Sequence, residues 1–301
     1  MIVMPMLDYR LVEAFAAVVE AGGFEKAAKR LHITQSAVSQ RVKQLEESTG
    51  CILLVRSSPP KPTVAGQEML RHYRQVSRLE EDLSAGIGQP RNEFSTLPVA
   101  VNADSLATWF LPAVRQYMQT RPVLLDLRVE DQDKTHTLLR NGDVLGCISS
   151  RAEAFQGCRV KHLGTMRYRL VGTPDYQTRW YPDSPHPRKP PTRAPMLIFN
   201  RHDTLHDQLF ERAFGHTVPV PAAYAPSAAR FPDFIASGTV AGMIPEEQSR
   251  PLIDAGTLVD LFPDVTVDVR LHWHCWNIES PMLEDFGNEL AAGAKREMTR
   301  C

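Results

Sequence analysis

Cysteine is scarce and unpaired in this 301-residue sequence. Its five cysteines, Cys51, Cys147, Cys158, Cys275 and Cys301, are scattered and odd in number, with no C-x-x-C pair. That supports neither a zinc ribbon nor a disulfide framework, and leaves buried or incidental thiols as the expectation. Long apolar runs are also missing. No stretch approaches the roughly 18 residues of a membrane-spanning helix. The N-terminal MIVMPMLDYR has neither a basic n-region nor a long apolar h-region, so it does not read as a secretory signal, and a cytoplasmic protein is expected. Met1, Met4 and Met6 each offer a start. The sequence has no G-x-S-x-G, no P-loop, no G-x-G-x-x-G after a strand and no metal-ligand cluster, so an enzyme is not expected. Two histidines at His272-x-His274 alternate onto one strand face; they are too few to define a metal site, and partial burial is the expectation.

Charge is nearly balanced overall, at −1. This argues against a wholly basic nucleic-acid protein. The distribution is uneven, however. Residues 26 to 78 hold ten Lys or Arg against three acids, a surplus of seven positive charges. A basic module on a neutral-to-acidic body fits phosphate contact confined to one end. With 43% hydrophobic and 23% charged residues, the chain has an ordinary globular composition, and its length suits two or three domains.

The densest pattern is FEKAAKRLHITQSAVSQRVKQLEE, residues 24 to 47. At about 100° per residue, Val42 and Leu45 fall on the same helical stripe as Val38. Ser36, Ser39, Gln40 and Lys43 fall on the opposite side. Phe24, Ala27, Ala28 and Leu31 repeat the i, i+3, i+4, i+7 pattern in the preceding helix. This spacing predicts a helix-turn-helix, whose second helix enters the major groove. The bland alternative is a helical hairpin with a solvated face. A first helix is expected from an Asp8 N-cap to about Ala21, ended by Gly22-Gly23, with Thr34 and Gly50 bounding the recognition helix. CILLVRSSPPKPTVAG predicts a hairpin wing with a strand from Ile52 to Val55 and cations at its tip. Thr63 is expected to cap a long helix from Val64 to about Leu83. Its apolar Met69, Tyr73, Val76 and Leu83 suit either a dimer seam or packing on the chain's own body.

AGIGQPRNEFST reads as a linker. From Leu97 strands and helices alternate. The strands are LPVAV, LLDLRV, VLGCIS, CRVKHL, YRLVG, MLIF, VPVPAAY, TVAGMI and VDVRLHWHCW. Helices are expected over Ser105 to Met118, THTLLRNG, Leu205 to Phe214, Ala228 to Ser237 and Met282 to Lys295. The segment 181–195 is too proline-rich for regular structure. Repeated β-α units imply α/β architecture with parallel sheets, and about 200 residues suffice for two lobes with a cleft.

FEKAAKRLHITQSAVSQRVKQLEESTG, then LLVR, then PTVAGQEML, then an α/β body resemble the LysR-type transcriptional regulators over essentially the whole chain. ITQSAVSQRVKQLE, LLVRSSPPKPT, AVNADSLATWFLPAV, GMIP and the Trp273-His274 pair are similar to that family's arginine- and lysine-responsive branch, the ArgP (IciA) and LysG type. The resemblance implies an N-terminal winged helix-turn-helix at 1–63 and a dimerising linker helix at 64–90. It also implies a two-lobed effector domain, like a periplasmic binding protein, at 91–301. Lobe one would comprise about 96–165 and 267–301, and lobe two 166–266. The implied partners are double-stranded promoter DNA, further copies of the chain in dimers or dimers of dimers, and RNA polymerase. Lysine or arginine is the implied effector, with no cofactor, and the implied targets are genes of basic-amino-acid export or metabolism. A solute-binding protein would explain two lobes but calls for an export signal. An architectural DNA protein would be more basic and would not need the body.

For DNA, Gln35, Ser36, Ser39, Gln40 and Lys43 are the candidates for the groove, since Gln pairs bidentately with adenine and Ser donates or accepts. Arg30, Arg41, Arg56 and Lys61 are candidates for phosphates, or else solvated charges. For the effector, NADSLATW places Asp104 and Ser105 where a strand gives way to a helix, a site suited to a carboxylate. Asp104 suits either an α-ammonium or helix capping. Glu130, Asp131 and Asp133 follow a strand and suit either a cationic side chain or a solvated turn. Asn200, Asp203 and Ser227 occupy similar positions later in the chain.

Overall fold

The computed structural model describes residues 7–87, 94–130, 135–182 and 192–298. These fall into two compact units. Each is considered by itself.

Unit one begins with α1 (Tyr9–Ala21), α2 (Phe24–Leu31) and α3 (Gln35–Thr49). The expected caps are present. The Asp8 carboxylate accepts the Arg10 N–H at 3.0 Å, and the Thr34 hydroxyl accepts the Ala37 N–H at 3.2 Å. Gly22 ends α1 and Gly50 ends α3, both in the left-handed region that a residue without Cβ enters freely. The apolar stripes meet in one core of Val12, Phe15, Val18, Ala27, Ala28, Val38, Val42 and Leu45. The two alanines give α2 no bulk on that side.

A short hairpin follows, β1 (Leu54–Val55) against β2 (Lys61–Pro62), antiparallel with Leu54 opposite Pro62. The strand is shorter than the expected 52–55. The Glu46 carboxylate takes the Leu53 N–H at 2.7 Å and the Leu54 N–H at 3.2 Å, so those donors serve α3 rather than a longer ladder. Helix α4 (Val64–Gly86) starts at Thr63, whose hydroxyl accepts the Gly66 N–H at 3.1 Å. Gly66 lies hard against the Leu53 carbonyl, with no room for a Cβ.

Met69 and Tyr73 of α4 pack on the module core, the own-body alternative for that half of the stripe. Leu79, Leu83 and Ile87 are exposed, at 38%, 65% and 63%, so the apolar face left open lies at the C-terminal end. Two segments counted in lobe one by the sequence reading, Thr137–Leu145 and Asn277–Met282, group with α4 in this unit. The Arg74 guanidinium donates to the Gly142 carbonyl at 2.8 Å and to Asp143 at 2.9 Å, and Gln67 donates to the Asn141 carbonyl.

Unit two is built on a nine-stranded mixed sheet. Its first half has β3 (Ser95–Val101), α5 (Ala103–Ala107), α6 (Phe110–Thr120), β4 (Val123–Val129), the start of α7 (Thr135–Arg140) and β5 (Gly146–Ser149). The long β6 (Cys158–Gly172) leads to α8 (Pro174–Trp180), β7 (Met196–Ile198), α9 (Leu205–Phe214) and β8 (Ala222–Tyr224). A 3-10 turn (Ala228–Arg230), α10 (Phe231–Ala236), β9 (Ala241–Pro245), α11 (Glu246–Asp254), β10 (Val259–Asp260), β11 (Val267–Trp276) and α12 (Pro281–Met298) complete the order. The strand order is β4-β3-β5-β11-β6-β9-β7-β8, with β10 on β6. Parallel triplets β4-β3-β5 and β9-β7-β8 lie at the two ends. The antiparallel pair β6 and β11 joins them, with a register shift between Leu271 and His272.

Each triplet carries its own helices. In the first, the Tyr117 ring of α6 and the Trp273 ring of β11 both lie 5.4 Å from the Phe286 ring of α12. Val171, Leu197, Phe231, Ile235, Val240, Ile244 and Leu258 form the core of the second.

Five expected elements change form. The helix expected over Ser105–Met118 is two helices, α5 and α6. Thr108 departs from helical geometry at φ −119°, and Pro112, four residues on, has no N–H to donate to the Thr108 carbonyl, so no helix runs continuously through this point. CRVKHL and YRLVG are a single strand, β6, because β11 pairs from Cys158 to Tyr168 and so spans the gap between them. VPVPAAY contributes only Ala222–Tyr224, since Pro219 and Pro221 carry no N–H for a ladder. The helix expected at Ala228 opens as a 3-10 turn, with Pro232 in the first turn of α10. Most of the proline-rich stretch, 183–191, lies outside the described residues.

Candidate DNA-reading helix and effector site

The exposed face of α3 carries the expected groove residues. Val38, Val42 and Leu45 are buried, which turns Gln35, Ser36, Ser39, Gln40 and Lys43 outward, all exposed. Arg41 is half-buried at the edge of that face. Arg56 and Lys61 are exposed on the hairpin. Two of the cations have partners within the chain. Arg30 donates to Glu20 at 2.8 Å, and Lys43 lies 3.5 Å from Glu47, one turn along the same helix. Both pairs are exposed and cost little to exchange for a phosphate. Glu46, which clamps the hairpin to α3, is a residue the sequence reading missed. Nothing in a charged helix face marks one glutamate as reaching back to a backbone.

In unit two, residues far apart in sequence come together around Asp104. The Tyr168 hydroxyl of β6 donates to the Asp104 carboxylate at 2.9 Å. Burial pushes the Asp104 carboxyl up to about 6, the Tyr168 bond opposes that rise, and the negative charges of Asp203 and Glu247 add to it. Burial also raises the Tyr168 hydroxyl, and the same three carboxylates reinforce the effect. Acidic side chains from α5, from the loop after β7 and from the first turn of α11 thus act on one buried tyrosine. Such a site attracts a cation, because a positive charge relieves repulsion among carboxylates that water no longer screens.

The expected effector residues fare differently. Asp104 feels the charge of Asp203. Both Asp203 oxygens accept backbone N–H groups, from Phe199 at 3.2 Å and Leu205 at 3.0 Å. Ser105 is fully buried and faces inward. Its Oγ accepts the Trp109 indole N–H at 3.1 Å and lies 3.7 Å from the Met166 sulfur. Ser227 is half-buried and starts the 3-10 turn against which α5 packs. Asn200 accepts the His202 N–H at 2.7 Å through its side chain. Glu130 is exposed just past β4 and is not among the charges that act on Asp104. Asp131 and Asp133 lie outside the described residues.

Tyr168 and Glu247 were missed. Glu247 carried a usable signal, since it sits just past the end of a strand, where ligands of parallel sheets bind. Tyr168 carried none, being one of several apolar positions in a strand. His272 and His274 are buried on β11, and burial lowers both imidazoles from their ordinary value. The His274 Nε2 lies 2.8 Å from the Arg151 carbonyl.

A winged helix-turn-helix with an open polar recognition face, followed by an α/β unit with a buried acidic site, defines the class as a DNA-binding regulator with a small-molecule sensing domain. Residues 9–67 match the bacterial regulatory helix-turn-helix protein, lysR family, and residues 91–295 match the LysR substrate binding domain. The chain belongs to the LysR family of transcriptional regulators, which are not enzymes. It is 38% identical over 295 residues to the HTH-type transcriptional regulator ArgP of Photobacterium profundum, covering 97% of this chain and 98% of that one. The crystal structure of ArgP from Mycobacterium tuberculosis is similar with a TM-score of 0.87 and 37% identity, over 96% of this chain and 98% of that one. Full-length LysG from Corynebacterium glutamicum with bound effector Arg is similar with a TM-score of 0.80 and 32% identity, over 96% of this chain and 99% of that one.

Proposed function

We propose that this regulator senses a basic amino acid, lysine or arginine, and controls genes for the export or metabolism of such amino acids. The observation that carries the reading is the buried Asp104 carboxylate, which accepts the Tyr168 hydroxyl at 2.9 Å within reach of the charges of Asp203 and Glu247. The likeness to ArgP proteins, and to a LysG solved with bound Arg, supports it. Asp104 leads the effector contacts, with Asp203 and Ser227 beside it. Ser105 acts through the α5–α6 corner.

On the DNA side, Gln35, Ser36, Ser39 and Gln40 read base edges, while Lys43, Arg41, Arg30, Arg56 and Lys61 meet phosphates of double-stranded promoter DNA. The functional domains are 1–63, 64–90 and 91–301, the last in two lobes. The assembly is a homodimer or a dimer of dimers joined through α4, working in the cytoplasm and acting on RNA polymerase. The effector shifts the population between two arrangements of the paired DNA-binding modules, and it does so only through its differential affinity for them.

A thermal-shift screen against the twenty amino acids tests the reading, because a ligand that binds only the folded state raises the midpoint by mass action. A rise with lysine or arginine alone is expected. No rise with either removes the basic-amino-acid assignment while leaving the LysR membership intact.

A further inference from the structure

The acidic residues of the effector site are not equivalent, and their partners separate them. Asp203 is committed to the backbone, with both oxygens accepting N–H groups that hold the β7–α9 loop. Asp104 accepts the Tyr168 hydroxyl. Glu246, next to Glu247 in the chain, is neutralised by Arg169 at 3.0 Å, and the same guanidinium pairs with Asp260 at 2.8 Å. Glu247 differs from all of these. Its Oε2 is buried and has no hydrogen-bond partner among the described residues. Burial raises its carboxyl, a bond from its own backbone N–H opposes that rise, and the Glu246 charge adds to it, so the unmet part of the group is Oε2 alone. Its own charge reaches both Asp104 and Tyr168.

A buried carboxylate oxygen without a partner is costly to a fold, and such groups persist where a ligand completes them. Resting on the basic-amino-acid reading above, we infer that Glu247 is the specificity-determining residue of the effector site. It pairs with the cationic end of the effector side chain, leaving Asp104 and Tyr168 to face the rest of the molecule. Selection follows from what the site does to a neutral analogue. A neutral analogue gives the Glu247 carboxylate no counter-charge: norleucine leaves its oxygen buried and unpaired, and citrulline offers only a neutral N–H, a weaker bond than a guanidinium makes, so each is disfavoured by lost electrostatics rather than by a clash.

Isothermal titration of the full chain with arginine and with citrulline, its neutral isostere, tests this, with lysine and norleucine as the second pair. The wild type is expected to prefer the charged member of each pair. In Glu247→Gln, arginine affinity should fall about tenfold or more, the size of one charge-assisted hydrogen bond, while citrulline affinity holds, so that the preference collapses. Glu247→Asp, which keeps the charge, should retain part of the preference. A wild-type preference in Glu247→Gln overturns the assignment. Collapse in Asp203→Asn with the Glu247→Gln preference intact overturns it in favour of Asp203. Equal loss of arginine and citrulline in Glu247→Gln would show a structural role and overturn it too. A wild-type chain that binds neither lysine nor arginine is a different result, and it sinks the basic-amino-acid reading itself.

Discussion

The Tyr168 hydroxyl donates to the Asp104 carboxylate at 2.9 Å, joining the mid-sheet strand β6 to the helix that follows the first strand of unit two. The bond favours ionised Asp104, while burial and two neighbouring carboxylates oppose it more strongly. The balance sets a pH dependence. In the fold Asp104 keeps its proton up to about pH 6, whereas its ordinary value is 3.8. Between those values the folded state binds more protons than the unfolded chain, so stability falls as pH rises through that window. The loss is at most about 3 kcal/mol, reduced by whatever water screens the site. Asp104→Asn should therefore have a higher urea midpoint than the wild type at pH 7, with the gap closing towards pH 4. All four tryptophans, Trp109, Trp180, Trp273 and Trp276, lie in unit two, so their fluorescence reports this unfolding. A gap that stays constant with pH would remove Asp104 as its source.

Lys43 projects from the open face of α3, and its only ion-pair partner among the described residues is Glu47 on the same helix. If it meets a phosphate, Lys43→Ala should weaken DNA binding and flatten the slope of log affinity against log salt by about one. A fluorescence titration at several salt concentrations measures both. An unchanged slope would take Lys43 off the contact surface.

Glu46 holds the wing by accepting two backbone N–H groups at residues that are almost fully buried, Leu53 and Leu54. Glu46→Ala leaves those donors without an acceptor, at a cost of about 1–3 kcal/mol. The amides of Leu53 and Leu54 should then exchange with solvent much faster, and DNA affinity should drop as the hairpin cations lose their placement. Glu46→Gln keeps an acceptor and should retain most of the protection. Unaltered exchange in Glu46→Ala would show that the wing is held by other contacts.

Ser105 accepts the indole N–H of Trp109, a residue only 2% exposed. Ser105→Ala strands that donor in a dry site and should lower stability by about 1–3 kcal/mol, read from urea unfolding at tryptophan wavelengths. An effector response that weakens in proportion fits a hydroxyl that positions α5. A midpoint equal to the wild type would show that the Trp109 contact contributes nothing.

The elements most legible in the sequence were those written into contiguous residues. Asp8, Gly22, Thr34 and Gly50 mark the ends of helices that the structure places at Tyr9–Ala21 and Gln35–Thr49, and the buried stripe of Val38, Val42 and Leu45 follows from helical period alone. Strand β11 spans Val267–Trp276, the segment expected from its pattern. The misses came where a distant partner overrode a local signal. The wing strand is shortened by a glutamate seven residues earlier, and β6 runs unbroken because β11 lies beside it.

The sequence by itself determined the DNA-reading helix, because a face is a property of neighbours along one turn. It determined the alternation of strands and helices for the same reason. Only the tertiary structure decided which acids matter. Asp104, Tyr168, Asp203 and Glu247 are spread over more than half of unit two, and their meeting depends on how the sheet orders its strands. Whether a carboxylate is satisfied, like Glu246 beside Arg169, or left with a buried oxygen unpaired, like Glu247, depends on what other segments bring to it. Burial and pairing are long-range quantities, and no local pattern in the chain encodes them.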